Sequence, residues 1–187
     1  MAHESGGPNW HDPDPRAIIP LDRPRPNARL RSYIRSHGYT CTMNVCFEDV
    51  MRACADREDR WINEEMITAY TELHRVDHAL STETWQGDDL IGGIYGVAIG
   101  RAFFGESMFS RASNASKAAF HHLVSHLRGN GFTLFDTQYI NAHTRSLGAI
   151  EVPREEFRRM LAAATDMPRT RRSGQGHAPP GRSSNSV

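Results

Sequence analysis

Three short runs in the middle of the chain constrain its fold most. Ala79 to Trp85, Leu90 to Val97 and Ala102 to Met108 are each rich in aromatic, aliphatic and glycine residues. They are separated only by Gln-Gly-Asp-Asp at 86–89 and by Ile99-Gly100. Connections this short join antiparallel neighbours, because a parallel crossover needs a dozen or so residues. The pattern predicts an antiparallel meander. Gly92-Gly93 and Gly96 would weaken a plain strand interior. They predict a bulge, or the close approach of another backbone or a ligand.

Helical spacing frames this meander. Asn27 is placed to cap a helix reaching His37, with Leu30, Tyr33 and Ile34 on one side and Gly38 as its stop. Tyr39 to Val45 alternates like a strand, and Phe47 to Ala55 suits a helix. Asn63 caps another, in which Met66, Ile67, Tyr70 and Leu73 recur at helical spacing. A further helix is expected from about Asn114 to Arg128, with Phe120, Leu123, Val124 and Leu127 as its apolar stripe. Phe132 to Tyr139 reads as a strand, and Pro153 opens a last helix over about Arg154 to Ala164. This order predicts an α+β domain, helices packed on a mostly antiparallel sheet. The domain is expected over residues 10–166, between a disordered start at 1–9 and a disordered tail at 167–187. The tail is Arg, Ser, Gly and Pro with almost nothing to bury.

Composition narrows the function classes. The 187 residues suffice for one domain with a real core, and the formal net charge is zero, so no global field draws the chain to nucleic acid. Locally, six Arg fall between Arg16 and Arg35 against the single Asp22. Arg suits bidentate phosphate contacts, but Lys117 is the only lysine, so part of this reflects a chain-wide preference. Cys41, Cys46 and Cys54 are odd in number and lack zinc-type spacing. With no signal-peptide pattern and no long apolar run, a reduced cytosolic protein off the membrane is expected.

Several residues could carry chemistry. On a strand, Phe132, Leu134, Asp136 and Gln138 would share one face. An acid following two apolar residues would be partly desolvated, and Gln138 could donate to it. Asp136 is therefore either a tuned base or a strand-end carboxylate receiving amides. Likewise Phe104, Glu106 and Met108 would share a face, making Glu106 a site acid or a turn residue paired with an Arg. Gly105-Glu106-Ser107 lacks the glycine spacing of a nucleophile elbow. Ile94, Phe103, Phe104, Met108, Phe109, Leu123 and Phe135 suit either plain core or a pocket for a flexible apolar group. His74/His78 and His122/His126 have helical i, i+4 spacing but no zincin glutamate, and read as solvated helix faces, with no metal expected. His143 fits a site or a loop. Trp10 and Trp61 fit a core rim or a stacking platform for a base.

Together these segments resemble the leucyl/phenylalanyl-tRNA–protein transferases. The resemblance rests on Asp-Pro-Asp-Pro-Arg (12–16), Trp-Ile (61–62), Gly-Gly-Ile-Tyr-Gly-Val-Ala-Ile-Gly (92–100) and Phe-Phe-Gly-Glu-Ser-Met-Phe-Ser (103–110). It continues in Asn-Ala-Ser-Lys (114–117), Asp-Thr-Gln-Tyr-Ile-Asn (136–141), His143, Ser-Leu-Gly-Ala (146–149) and Pro-Arg (153–154). It implies a fold like that of the GNAT acyltransferases. It implies transfer of Leu or Phe, in some cases Met, from aminoacyl-tRNA to an N-terminal Arg or Lys of a protein, marking it for N-degron proteolysis. It further implies that Asp136 and Gln138 take the central catalytic positions and that Glu106 and Asn141 bind substrate. Ile94, Phe103, Met108, Ser110 and Leu123 would surround the amino-acid side chain, and Trp61 would stack on the 3′-terminal adenosine. The tRNA is a substrate and no cofactor is implied; a monomer is the default. An ordinary GNAT acetyltransferase is disfavoured, since the chain lacks the glycine loop that cradles the acetyl-CoA pyrophosphate. The family's usual N-terminal segment finds no match ahead of Asp12, and His11 stands where a second Trp is usual. The alternative expectation is accordingly a weakened homologue that binds aminoacyl-tRNA or N-terminal peptides without efficient transfer.

Overall fold

The computed structural model describes residues 12–56 and 62–166. The expected loose start at 1–9 and tail at 167–187 lie outside the described residues, as do Trp10, His11 and Trp61.

The described chain runs β1 (Arg16–Ile18), α1 (Ala28–Ser36), β2 (Tyr39–Met43), α2 (Phe47–Ala55), α3 (Glu64–Arg75), β3 (Ala79–Gln86), β4 (Asp89–Ile99) and β5 (Ala102–Ser110). It continues α4 (Ala115–Gly129), β6 (Leu134–Gln138), α5 (Ala142–Ser146), β7 (Ile150–Val152) and α6 (Arg154–Thr165). The seven strands form one sheet in the order β2-β3-β4-β5-β6-β1-β7. Every neighbouring pair is antiparallel except β5 with β6. The fold is α+β with a mostly antiparallel sheet, and the β3-β4-β5 meander is where the spacing predicted it. Among the described residues no helix is long and apolar enough to cross a membrane.

Local chemistry explains the element ends. The Asn27 side chain accepts from the Leu30 amide at 2.8 Å and that of Asn63 from Met66 at 2.9 Å, so both expected caps are made. Gly38 takes φ +64, the left-handed turn that releases α1 into β2. Three elements escaped the sequence reading. β1 and β7 are three residues each, too short to show alternation, and the five-residue α5 is held by a reciprocal cap between Asn141 and Thr144.

Adjacent residues divide the core between the two faces of the sheet. Ile94 packs with Phe103, Phe120, Leu123, Val124, Leu127 and Phe135 beneath α4. Its neighbour Tyr95 packs with Phe47, Val50, Met51, Ile67 and Phe109 beneath α2 and α3. A third cluster of Ile18, Leu134, Val152 and Phe157 fixes α6 over β1, β6 and β7. His74 is not on a solvated face: it stacks on Phe47 at 4.4 Å and its Nδ1 meets the Ala79 carbonyl at 2.9 Å.

The predicted bulge is present in the meander. Between β4 and β5 the register shifts, Tyr95 facing Ser107 while Gly96 faces Gly105, which leaves Glu106 as the extra residue. A Cβ on Gly96 would stand 2.1 Å from the Phe104 carbonyl, so only glycine allows the two strands to close here.

Candidate active site

β5 and β6 are paired only at Ala102 with Leu134, Phe103 with Phe135 and Phe104 with Asp136. Beyond that point the strands part, and the wedge between them is a cavity of about 550 Å³. Its apolar floor includes Ile19, Ile94, Phe120 and Phe135, and its walls carry Glu106, Met108, Ser110, Gln138, Asn141 and His143. Six of the sequence-predicted site residues therefore meet around one cleft: Ile94, Glu106, Met108, Ser110, Gln138 and Asn141. Phe103 and Leu123 belong to the same cluster as the floor but lie beneath it, at 0% and 1% exposure. Phe103 packs edge-on against Phe135 at 5.1 Å.

Asp136 is fully buried, and it is not the partially desolvated acid that strand alternation suggested. Arg16 donates to both its oxygens, Nε to Oδ1 at 3.0 Å and Nη2 to Oδ2 at 2.6 Å. The Gln138 amide donates a third bond to Oδ1 at 3.0 Å. Gln138 does supply Asp136 with a donor, but through its backbone and not its side chain. To do so Gln138 takes φ +60, which ends β6 and turns its side chain out of the expected alternation. Its Nε2 donates to the Gly105 carbonyl at 3.1 Å, bridging the mouth of the wedge.

The Asp-Pro-Asp-Pro-Arg run builds the back of this site. Asp14 accepts from the Arg154 amide at 3.1 Å and Asp12 from Arg158 Nη2 at 2.8 Å, pinning the strand start to α6. Arg16 then reaches Asp136 while its guanidinium lies 4.8 Å over the Phe157 ring. Arg16 is thus removed from the arginines available to phosphate. Its role had no signal in the sequence, because its partner is 120 residues away.

Glu106 owes its position to the bulge. The inserted residue breaks alternation, so Met108 joins the α4 face with Phe103, while Phe104 packs with the α6 cluster. The expected common face for Phe104, Glu106 and Met108 is therefore not formed. Burial pushes the Glu106 carboxyl up to about 7, and the charge of Asp136 adds to the rise; Tyr70 and Arg16 oppose it. Tyr70, from α3, presents its hydroxyl to Glu106 and is itself pushed up to about 12, by burial first and then by the Glu106 charge. Tyr70 was legible only as part of a helical stripe.

The remaining walls are tied together by hydrogen bonds. Asn141 Oδ1 accepts from the Thr144 amide at 2.8 Å, and its own amide donates to Thr144 Oγ1 at 2.9 Å. This cap orients α5, whose His143 brings Nε2 to 2.9 Å from Met108 Sδ. Ser110 donates to the Ala112 carbonyl at 2.9 Å and accepts from the Ser116 amide at 3.2 Å, joining β5 to the start of α4.

A second cavity of about 780 Å³ is lined by Arg23, Arg25, Arg29, Lys117 and His121, with no carboxylate among its described lining residues. It adjoins the cleft, since Leu147 lines both. The family model for leucyl/phenylalanyl-tRNA protein transferase matches residues 18–162, which include the wedge and this basic groove. The chain belongs to that family. The leucyl/phenylalanyl-tRNA–protein transferase of Gloeobacter violaceus is 48% identical over 159 residues, 85% of this chain and 82% of that relative. The one from Cereibacter sphaeroides is 51% identical over 156 residues, 83% of this chain and 73% of that relative. Among solved structures, L-PGS from Bacillus licheniformis is similar at 14% identity with a TM-score of 0.47, over 70% of this chain and 48% of that one. This transferase-family chain therefore shares about half its residues with relatives over most of its length, and the matched span holds every residue that lines the cleft.

Proposed function

We propose that the chain transfers Leu or Phe, with Met as a further substrate, from aminoacyl-tRNA to the N-terminal Arg or Lys of acceptor proteins. Membership of the family at 48–51% identity carries this reading. The product would mark its protein for N-degron proteolysis, and the enzyme would work as a monomer in the cytoplasm.

The chemistry required is aminolysis of an ester. A peptide α-amine has a pKa near ~8, so a useful fraction is neutral at pH 7 and the enzyme mainly has to position it. The cleft supports that task. Its floor of Ile94, Phe120 and Phe135, with Met108 on the wall, suits a Leu or Phe side chain, and the unbranched thioether of Met108 tolerates both shapes. Gln138 lines the same cleft and is held there from behind by Asp136. In this reading Gln138 touches the reacting groups and Asp136 acts through it. Asn141 and Ser110 set the cleft's ends, and Phe103 and Leu123 define its depth from below. Trp61 is assigned to the terminal adenosine. Arg23, Arg25, Arg29 and Lys117 suit the backbone of the tRNA acceptor end, since the groove they line opens beside the cleft.

The test is direct. Purified protein should move labelled leucine from Leu-tRNA to peptides beginning with Arg or Lys, and not to one beginning with Ala. Absence of transfer to any of them under conditions where the tRNA ester is intact would refute the reading.

A further inference from the structure

Among the described residues that line the cleft, Glu106 is the only carboxylate. Asp136, the other acid nearby, is closed to substrate: it is fully buried and both oxygens already accept, three bonds in all, from Arg16 and Gln138. A base must reach the proton it removes. Asp136 is not among the residues that line the cleft, whereas Glu106, the extra residue of the bulge, lines it together with Gln138. We propose that Glu106 takes the proton released as the acceptor's α-amine attacks, and returns it to the departing ribose oxygen. This rests on the transfer activity proposed above.

The step balances. The amine nitrogen bonds to the ester carbonyl carbon and gives one proton to the Glu106 carboxylate. The tetrahedral intermediate collapses, the bond from carbon to the ribose oxygen breaks, and the Glu106 acid protonates that oxygen. The products are an amide and a free ribose hydroxyl, with Glu106 again a carboxylate. The groups facing it fit the role. Tyr70 from α3, Asp136 from β6 and Arg16 from β1 are the charged or titratable neighbours that set its acidity, and His143 stands on the α5 wall of the cleft at Met108. Held near neutrality, the carboxyl is well matched to an amine that titrates near ~8, so the proton can pass either way.

The experiment compares wild type, Glu106→Gln and Glu106→Asp with Leu-tRNA and an Arg-starting peptide across pH. Gln should lower kcat by roughly 10²–10⁴ with KM for the peptide little changed, and should make the acid limb of the kcat profile shallower, leaving only the titration of the amine itself near ~8. Asp should keep the steeper, two-group limb of wild type at reduced kcat. If Gln instead raises KM for the peptide and leaves kcat and the steepness of the acid limb unchanged, Glu106 is a counter-ion for the acceptor's side chain and the proposal falls. If wild type itself moves no leucine, the failure lies with the transfer activity and not with the choice of base.

Discussion

Replacing Glu106 by Gln has a consequence for stability that can be worked from the structure. The carboxyl titrates near 7 when folded, against an ordinary value of 4.5, because it is buried and faces Asp136. An acid whose pKa is raised by folding holds more protons in the folded state between those two values. Its contribution is therefore neutral below pH 4.5, and stability is lost as pH rises through that window, levelling off above the folded value. The rise from 4.5 to about 7, at 1.36 kcal/mol for each tenfold change in proton affinity, amounts to a cost of about 3 kcal/mol above neutrality. Gln has nearly the same shape and no charge, so it escapes the cost. Urea unfolding should show Glu106→Gln more stable than wild type by about 3 kcal/mol near pH 8, and by under ~1 kcal/mol near pH 5. For a chain of this size that corresponds to roughly 6–12 °C in Tm at the higher pH. A difference that does not vary with pH, or a Gln variant less stable than wild type at pH 8, would refute the argument. The predicted gain comes with the predicted loss of turnover, the pattern expected where a buried charge that costs stability serves chemistry.

Arg16→Met leaves the Asp136 charge buried without its partner and should cost about 3–5 kcal/mol in chemical unfolding. Arg16→Met combined with Asp136→Asn should recover much of that, and simple additivity in this double-mutant cycle would refute the pairing as the cause. In the basic groove, Arg25→Ala and Arg29→Ala should each lower the slope of log affinity for tRNA against log salt by roughly one unit, measured by filter binding; an unchanged slope would take the groove out of the interface. Gly96→Ala pushes a methyl into the Phe104 carbonyl and should destabilise by at least about 1–3 kcal/mol in thermal unfolding, while wild-type stability would show that the bulge relaxes freely.

Much of this architecture obeys local rules. The caps at Asn27 and Asn63, the stripe of Phe120, Leu123, Val124 and Leu127, and the meander all depend on neighbours a few residues away, and all are found. The cleft-lining residues Ile94, Met108, Ser110 and Asn141 were legible through the family resemblance. What failed was alternation carried past its range. It put Glu106 on a face with Phe104 and Met108, although the glycines that warned of a bulge were in view. It also made Gln138 a side-chain donor to Asp136, because nothing in five residues of strand announces a left-handed turn at its end. The parts that Arg16 and Tyr70 play in the site could not be read from the sequence. Their roles depend on the pairing of Ile18 with Asp136 and on the packing of α3, both set by the whole sheet.

The two failures of alternation fall on either side of the same opening, and the sheet order gives a reason. β5 and β6 form the one parallel pair among the described strands, and their ladder ends at Phe104 and Asp136. The next residue on β5 is Gly105 and the one after it is the bulged Glu106; two beyond Asp136 on β6 is the left-handed Gln138. Both irregularities fall just past the end of the ladder, where Gln138 Nε2 still reaches the Gly105 carbonyl. Regular strands would have continued pairing and filled the wedge with main-chain bonds. Local irregularity, held in place by the buried Arg16–Asp136 pair and by Tyr70, is thus what makes room for a substrate and brings Glu106 and Gln138 to face it.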